Sequence, residues 1–281
     1  MASDPAIEQL GLFDTETSHL AAARRALGRF DLHGAEAGLV SHLAIFSADR
    51  RAQALCAVVR RLRTRWDATA GRCTELEALV EFRSDVPPDL LPAWHLRIAE
   101  LAEQASEKAY IAGEPVGFHF LAAGRCSRAI DASRRTLAAA AGDGRVRAVL
   151  ADALYLDGQK ELARKEYFRA LMDDPAAIPV DRIADAAVLN LADLARHEYE
   201  LDGPMAAWMP AVGIVERVFG LPHPALPGLD PDSLQASAPR MFVELIARER
   251  GCRTLDERVV VRRRMKALAP LLLDAYLRAY A

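Results

Sequence analysis

Residues 144–177 read GRVRAVLADALYLDGQKELARKEYFRALMDDPAA, and the residues just before them, 110–143, read YIAGEPVGFHFLAAGRCSRAIDASRRTLAAAAGD. The two segments align without a gap at an offset of 34 residues, which pairs Val116 with Leu150, Phe120 with Leu154, Gly124 with Gly158, Ala129 with Ala163 and Leu137 with Leu171. Self-similarity at such a period marks units that bury their apolar faces against their neighbours. Within 144–177, Val146 to Leu156 reads as one helix, Asp157-Gly158-Gln159 as a tight turn, and Lys160 to Met172 as a second helix stopped before Pro175. Glycine supplies the turn because it adopts positive φ cheaply, and proline cannot continue a helix. Tyr167 and Leu171, four apart, share one face of the second helix, while Leu150 and Leu154 form the matching stripe on the first.

The run Leu150-Ala151, Leu154, Gly158, Ala163, Tyr167, Ala170 and Pro175 resembles the tetratricopeptide repeat. That unit has a Leu and a small residue in its first helix, Gly at the turn, then Ala, an aromatic, Ala and Pro. The preceding segment keeps Gly124, Ala129 and Leu137 but has Ser133 and Ala141 where Tyr167 and Pro175 stand, so it reads as a degenerate copy. The resemblance implies an all-α fold, a TPR-like α-solenoid of antiparallel helix hairpins. It also implies that first helices line a concave surface suited to an extended peptide or a partner helix. The groove would be lined by Glu114, Phe118 and Leu121 from one unit and Arg145, Asp152 and Tyr155 from the next. In the chaperone-binding branch of the family this surface grips a terminal carboxylate with Lys, Asn and Arg. Ala148 and Asp152 stand at matching positions here and disfavour that ligand.

Outward from the pair the pattern thins. Ile183 to Leu201, Gly203, and Pro204 to Phe219 suggest a third unit, with Pro210 breaking its second helix locally. His19 to Phe30 and Ala35 to Phe46 suggest a repeat-like hairpin; Arg50 to Trp66 and Thr74 to Phe82 are further helices. Ser84 to Pro88 is a loop before a helix running from Asp89 or Leu90 to about Tyr110. Four prolines between Leu221 and Pro231 forbid a continuous helix there. Beyond them Ser233 to Arg250 is helical, Gly251 ends it, Thr254 to Glu257 is a capping box, and Pro270 should bend the last helix. The expected organisation is an N-terminal helical region over 1–86, repeats over 87–220, and a Pro-rich connection with a helical C-terminal cap over 221–281.

Composition agrees with helix: 54 residues are alanine and only 6% are aromatic, and β-branched alternation is missing. The formal charge of -3 disfavours a dedicated nucleic-acid binder, which needs a basic excess. Two basic runs, Arg60 to Arg65 and Arg262 to Lys266, read as solvated helix faces. The start, Met1 to Leu12, lacks a basic stretch followed by an apolar core, so no secretory signal is expected. Apolar stretches such as Ala267 to Leu273 are too short to cross a bilayer, and a cytoplasmic location without membrane insertion follows as the expectation. Cys56, Cys73, Cys126 and Cys252 are far apart and read as buried free thiols rather than a zinc site or disulfides.

Catalytic signatures are missing from the sequence: no Gly-x-Ser-x-Gly, His-Glu-x-x-His, Walker or Rossmann pattern occurs. No cofactor and no metal is expected. Asp173-Asp174 reads as a helix terminus, since Ala177 stands where a further acid would be needed. His119, flanked by Phe118 and Phe120, reads as a packed or groove residue; Trp66, Trp94 and Trp208 read as core. The function expected is a non-enzymatic scaffold or adaptor that binds a protein or peptide. Two alternatives stand beside it. One is a chaperone or secretion-system accessory protein. The other is a helical enzyme or accessory subunit with a pocket near Asp193, His197 and Glu200, whose spacing lets them share a proton or a metal.

Overall fold

The computed structural model describes residues 19–71, 74–105, 109–222 and 237–280. The protein is mostly helical, as the composition predicts, and among the described residues the strands amount to one two-residue ribbon. The chain divides into two compact units, Met1–Arg125 and Cys126–Ala281. This division falls inside 110–143 rather than at the loop Ser84 to Pro88.

In the first unit, helix α1 covers 19–27, followed by α2 (Leu32–Ile45), α3 (Arg50–Ala70), α4 (Glu75–Glu81) and α5 (Leu91–Ala105). The expected helix to about Tyr110 therefore stops short. Strands β1 (Tyr110–Ile111) and β2 (Glu114–Pro115) pair antiparallel around Ala112-Gly113, which both have positive φ, and lead into α6 (Val116–Ala122). Side chains at the helix starts satisfy amides that have no partner within the helix. Asp31 accepts from Gly34, Asp49 from Arg51 and Ala52, and Thr74 forms a capping box with Glu77. The helices from α2 to α6 pack in sequence order, each on the next. Their core holds Leu39, Val59, Leu79, Phe82, Trp94 and Ile98, all within 1% of full burial. Trp94 donates its indole N–H to the Leu79 carbonyl at 2.9 Å, so its polar end is satisfied. Trp66 is half-buried, edge-on to Phe30 and Phe82.

The second unit opens with α7 (Cys126–Ala139), α8 (Gly144–Leu156) and α9 (Lys160–Asp173). Helix α8 lies against both α7 and α9. Single 3-10 turns at Pro175–Ala177 and Val180–Arg182 lead to α10 (Ala186–Leu189), α11 (Leu191–His197) and α12 (Met205–Val215). All residues from Trp208 to Val215 are buried, the mark of a helix surrounded by others, and α12 packs on α9 and α11 as well as on α13 (Ala238–Gly251) and α15 (Pro270–Tyr280). Pro210 sits inside α12 without ending it. Helix α14 (Leu255–Leu268) starts on the expected Thr254–Glu257 capping box. Pro270 does not bend one helix but opens a second, after Ala269 adopts an extended φ of -156°. Glu249 of α13 is 6% exposed and ties three helices: it accepts from Arg262 at 2.6 and 3.0 Å, from the Tyr276 hydroxyl at 3.1 Å, and pairs with Arg258 at 3.5 Å.

The offset of 34 survives in the backbone. Gly124 and Gly158 have φ of 69° and 86°, a conformation that costs a residue with Cβ roughly 1–2 kcal/mol. Around Gly124, Ala123 N–H donates to His119 O at 3.1 Å, Gly124 to Leu121 at 2.8 Å and Arg125 to Phe120 at 2.9 Å. Around Gly158 the same three bonds recur from Asp157 to Ala153, Gly158 to Tyr155 and Gln159 to Leu154, at 3.0, 3.0 and 2.9 Å. Each is a helix stop in which a glycine amide and the amide after it recover terminal carbonyls. Ala129 and Ala163 are both fully buried. At the suggested third unit the pattern lapses: α11 ends at His197, and Gly203, although its φ is 89°, lies six residues farther on.

Three arginines of the first basic run are ion-paired, and Arg262 of the second is held by Glu249. Arg60 and Arg63 meet Glu36 at 2.8 and 2.7 Å, and Arg65 meets Asp85 at 2.6 Å. Cys56 is buried, but Cys126 and Cys252 are half-exposed, which corrects the expectation for those two; Cys73 lies outside the described residues. Among the described residues no helix is long and apolar enough to cross a membrane.

Candidate functional site

The six residues expected to line a groove divide evenly between the units. Glu114 on β2 is 8% exposed and belongs to the interior of the first unit. Phe118 and Leu121 on α6 are half-buried, and the Phe118 ring stands edge-on to His95 at 5.6 Å. Arg145, Asp152 and Tyr155 on α8 are half-buried in the second unit, with the Lys160 ammonium 5.7 Å from the Tyr155 ring. Asp152 has its carboxylate committed internally: its Oδ1 accepts from the Tyr167 hydroxyl and from the Ala184 amide at 2.9 Å. Burial raises the Asp152 carboxyl to about 6 against the pull of these two donors, and the Tyr167 hydroxyl is pushed above its ordinary value by burial and by Asp152. This carboxylate fastens the segment after α9 to α8, so the exposed surface of the expected groove is carried by the other side chains.

Asp193, His197 and Glu200 are exposed. The nearby cavity of about 390 Å3 is lined instead by Leu194, Glu198, Tyr199, Glu216, Asp274 and Arg278. Among the described residues, no three His, Cys, Asp or Glu side chains are placed to hold a metal ion. Asp173 pairs with Arg147 at 3.2 Å and Asp174 caps the following turn, which gives both acids structural work.

The most unusual polar arrangement is a buried histidine pair in the first unit. Helix α5 carries Trp94-His95, α6 carries Phe118-His119, and the two helices pack together. The Nδ1 atoms of His95 and His119 lie 2.9 Å apart, and His119 Nε2 is 3.3 Å from the Ile111 carbonyl on β1. Because a carbonyl only accepts, His119 donates through Nε2 and its Nδ1 is the acceptor for a proton carried on His95 Nδ1. The network thus assigns both tautomers. Burial drives His95 down to about 4, helped by repulsion from His119 and Arg83 and opposed by Glu114. Burial lowers His119 as well, against the Ile111 carbonyl and Glu114. Both rings are therefore neutral at pH 7 and hold the β1–β2 ribbon against α5 and α6. His119 was legible in sequence as a packed or groove residue; His95 was not, because it lies 24 positions from its partner and no periodicity connects the two.

No family model matches the chain, and comparison with curated proteins and with solved structures yields no match.

Proposed function

We propose that the protein is a non-enzymatic interaction module whose helix hairpins follow the tetratricopeptide pattern and hold a peptide or helix of a protein partner on their first helices. The observation that supports this reading is the matched pair of turns at Gly124 and Gly158, with the same three backbone bonds at an offset of 34. The turn at Gly158 brings α9 back against α8, where the fully buried Ala163 lets the two helices approach closely. The packing of α8 between α7 and α9 also accords with stacked hairpins. The contact residues proposed are Phe118 and Leu121 on α6 of the first unit and, separately, Arg145 and Tyr155 on α8 of the second, all with partly exposed side chains. Function resides in such side chains rather than in the architecture, so the test addresses them directly. Immobilised full-length chain is used to capture partners for mass spectrometry, beside Phe118→Ala and Tyr155→Ala variants of unchanged helicity. A partner held by the parent chain and lost from the variants supports the reading; identical capture by all three rejects it.

A further inference from the structure

Two contiguous concavities of about 340 Å3 each open on the surface of the first unit and share Gly28, Leu96 and Arg125. One has an apolar floor of Leu27, Leu90, Ala93 and Leu96, with Arg24 and Asp89 at its rim. The other is basic, bounded by Arg25, Arg29, Arg97 and Arg125, with Glu100 as its carboxylate. Arg97 is already held by Glu75 at 2.7 Å. In contrast, among the described residues the side chains of Arg24, Arg25, Arg29 and Arg125 make no ion pair or hydrogen bond. That sets them apart from Arg60, Arg63 and Arg65 of α3, each of which has a carboxylate partner. Arg24 and Arg25 lie in the last turn of α1, where the helix carbonyls favour a cation. That preference does not extend to Arg29, beyond the helix, or to Arg125, which arrives from the turn after α6. Four guanidinium groups from two distant segments thus converge on one depression that holds two carboxylates. A depression in which one sign of charge predominates over an apolar floor concentrates the opposite charge.

We propose that this surface docks an acidic peptide segment of a protein partner, with one apolar side chain seated on Leu27, Leu90, Ala93 and Leu96 and flanking carboxylates on Arg25, Arg29 and Arg125. Charge complementarity selects acidic residues, and planar guanidinium groups suit carboxylate geometry. The apolar floor and the guanidinium groups lie in contiguous concavities rather than on one flat basic face, so a peptide carrying both chemistries is favoured over an anionic lipid surface. This surface stands apart from the hairpin reading above and does not depend on it.

The test is fluorescence anisotropy with the full-length chain and a fluorescein-labelled peptide, Glu-Asp-Glu-Phe-Glu-Asp-Glu. Saturable binding is expected, weakened by added salt as the ionic atmosphere contracts. The Arg25→Glu/Arg29→Glu variant should bind about tenfold more weakly, and replacing the peptide's Phe by Ser should weaken binding by about fivefold. Should the double variant lose its helicity, Arg125→Gln takes its place, with an expected loss of about threefold. Tyr155→Ala, in the other unit, should leave this binding unchanged, which separates failure here from failure of the hairpin groove. The proposal is overturned by equal affinity of the arginine variants, by equal binding of a lysine-substituted peptide, or by no saturable peptide binding. Capture by phosphatidylglycerol vesicles without peptide binding overturns it in favour of a lipid.

Discussion

Replacing His95 by Gln offers a quantitative test of the buried pair. Gln is neutral at every pH and can donate to His119 Nδ1 in place of the imidazole, so the variant removes titration while retaining a donor. In the folded protein His95 sits at about 4 instead of 6.5. Acidification therefore protonates the unfolded chain first. The contribution of this group is fully present above 6.5 and is lost as pH falls from there towards 4. At about 1.4 kcal/mol per unit, that interval corresponds to about 3 kcal/mol, and the lowered His119 acts in the same direction. Urea unfolding followed by tryptophan fluorescence suits the purpose, because Trp94 lies 4.7 Å from the His95 ring. Between about pH 7.5 and about pH 4.5 the parent chain should lose roughly 2.5 kcal/mol more than His95→Gln. Common carboxylate titrations cancel in that difference. Parallel loss in the two proteins, or an NMR titration placing His95 near 6.5, would refute the reasoning.

Three other outcomes are expected. Gly124→Ala and Gly158→Ala should each lower stability by about 1 kcal/mol through φ alone, since no neighbouring atom lies within 4 Å of the added Cβ; thermal melts check that the two costs are similar. Gly213→Ala should cost about 1–3 kcal/mol by overpacking, because its Cβ would fall 2.3 Å from Phe219 Cδ2 and 2.9 Å from Leu191 Cδ1; denaturant midpoints report it. Asp152→Asn keeps an oxygen for Tyr167 and Ala184 but removes a carboxyl held at about 6, raised from 3.8. Because a carboxyl raised from 3.8 to about 6 contributes fully below 3.8 and loses that contribution as pH rises through 6, the variant should gain stability over the parent chain near pH 7, keep about half of the gain near pH 5 and lose it below about pH 4, as paired urea titrations would record.

Local signals carried the sequence reading furthest where one residue does one job. Thr254 and Glu257 announce a capping box, and Gly158 with Pro175 brackets α9, because each acts within a few positions. The strongly helical character was legible for the same reason. Pro270 was misjudged because proline is compatible both with a bend and with a first helical turn, and only the extended Ala269 before it decides between them. The two-residue ribbon beside His119 was missed because Tyr110–Ile111 and Glu114–Pro115 are too short to show alternation. Glu114 and Asp152 were assigned to a surface from their place on the repeat. Their burial depends on partners from other segments: Asp152 meets Ala184, 32 residues away. The arginine-lined depression was equally hidden, since Arg29 and Arg125 become neighbours only through tertiary packing.

Glu249 has a consequence for dissecting the molecule. One interior carboxylate receives Arg262 from α14 and Tyr276 from α15, so its charge is balanced and its hydrogen bonds are complete only while both later helices are docked: α14 supplies the counter-charge and α15 the hydroxyl donor. Trimming the polypeptide ahead of Tyr276 would strip away a hydroxyl donor together with the apolar cover of α15, and the damage would reach α13 itself. Fragments intended for crystallisation or for mapping a minimal binding region should therefore keep α13, α14 and α15 as one indivisible block, with any cut placed upstream of them.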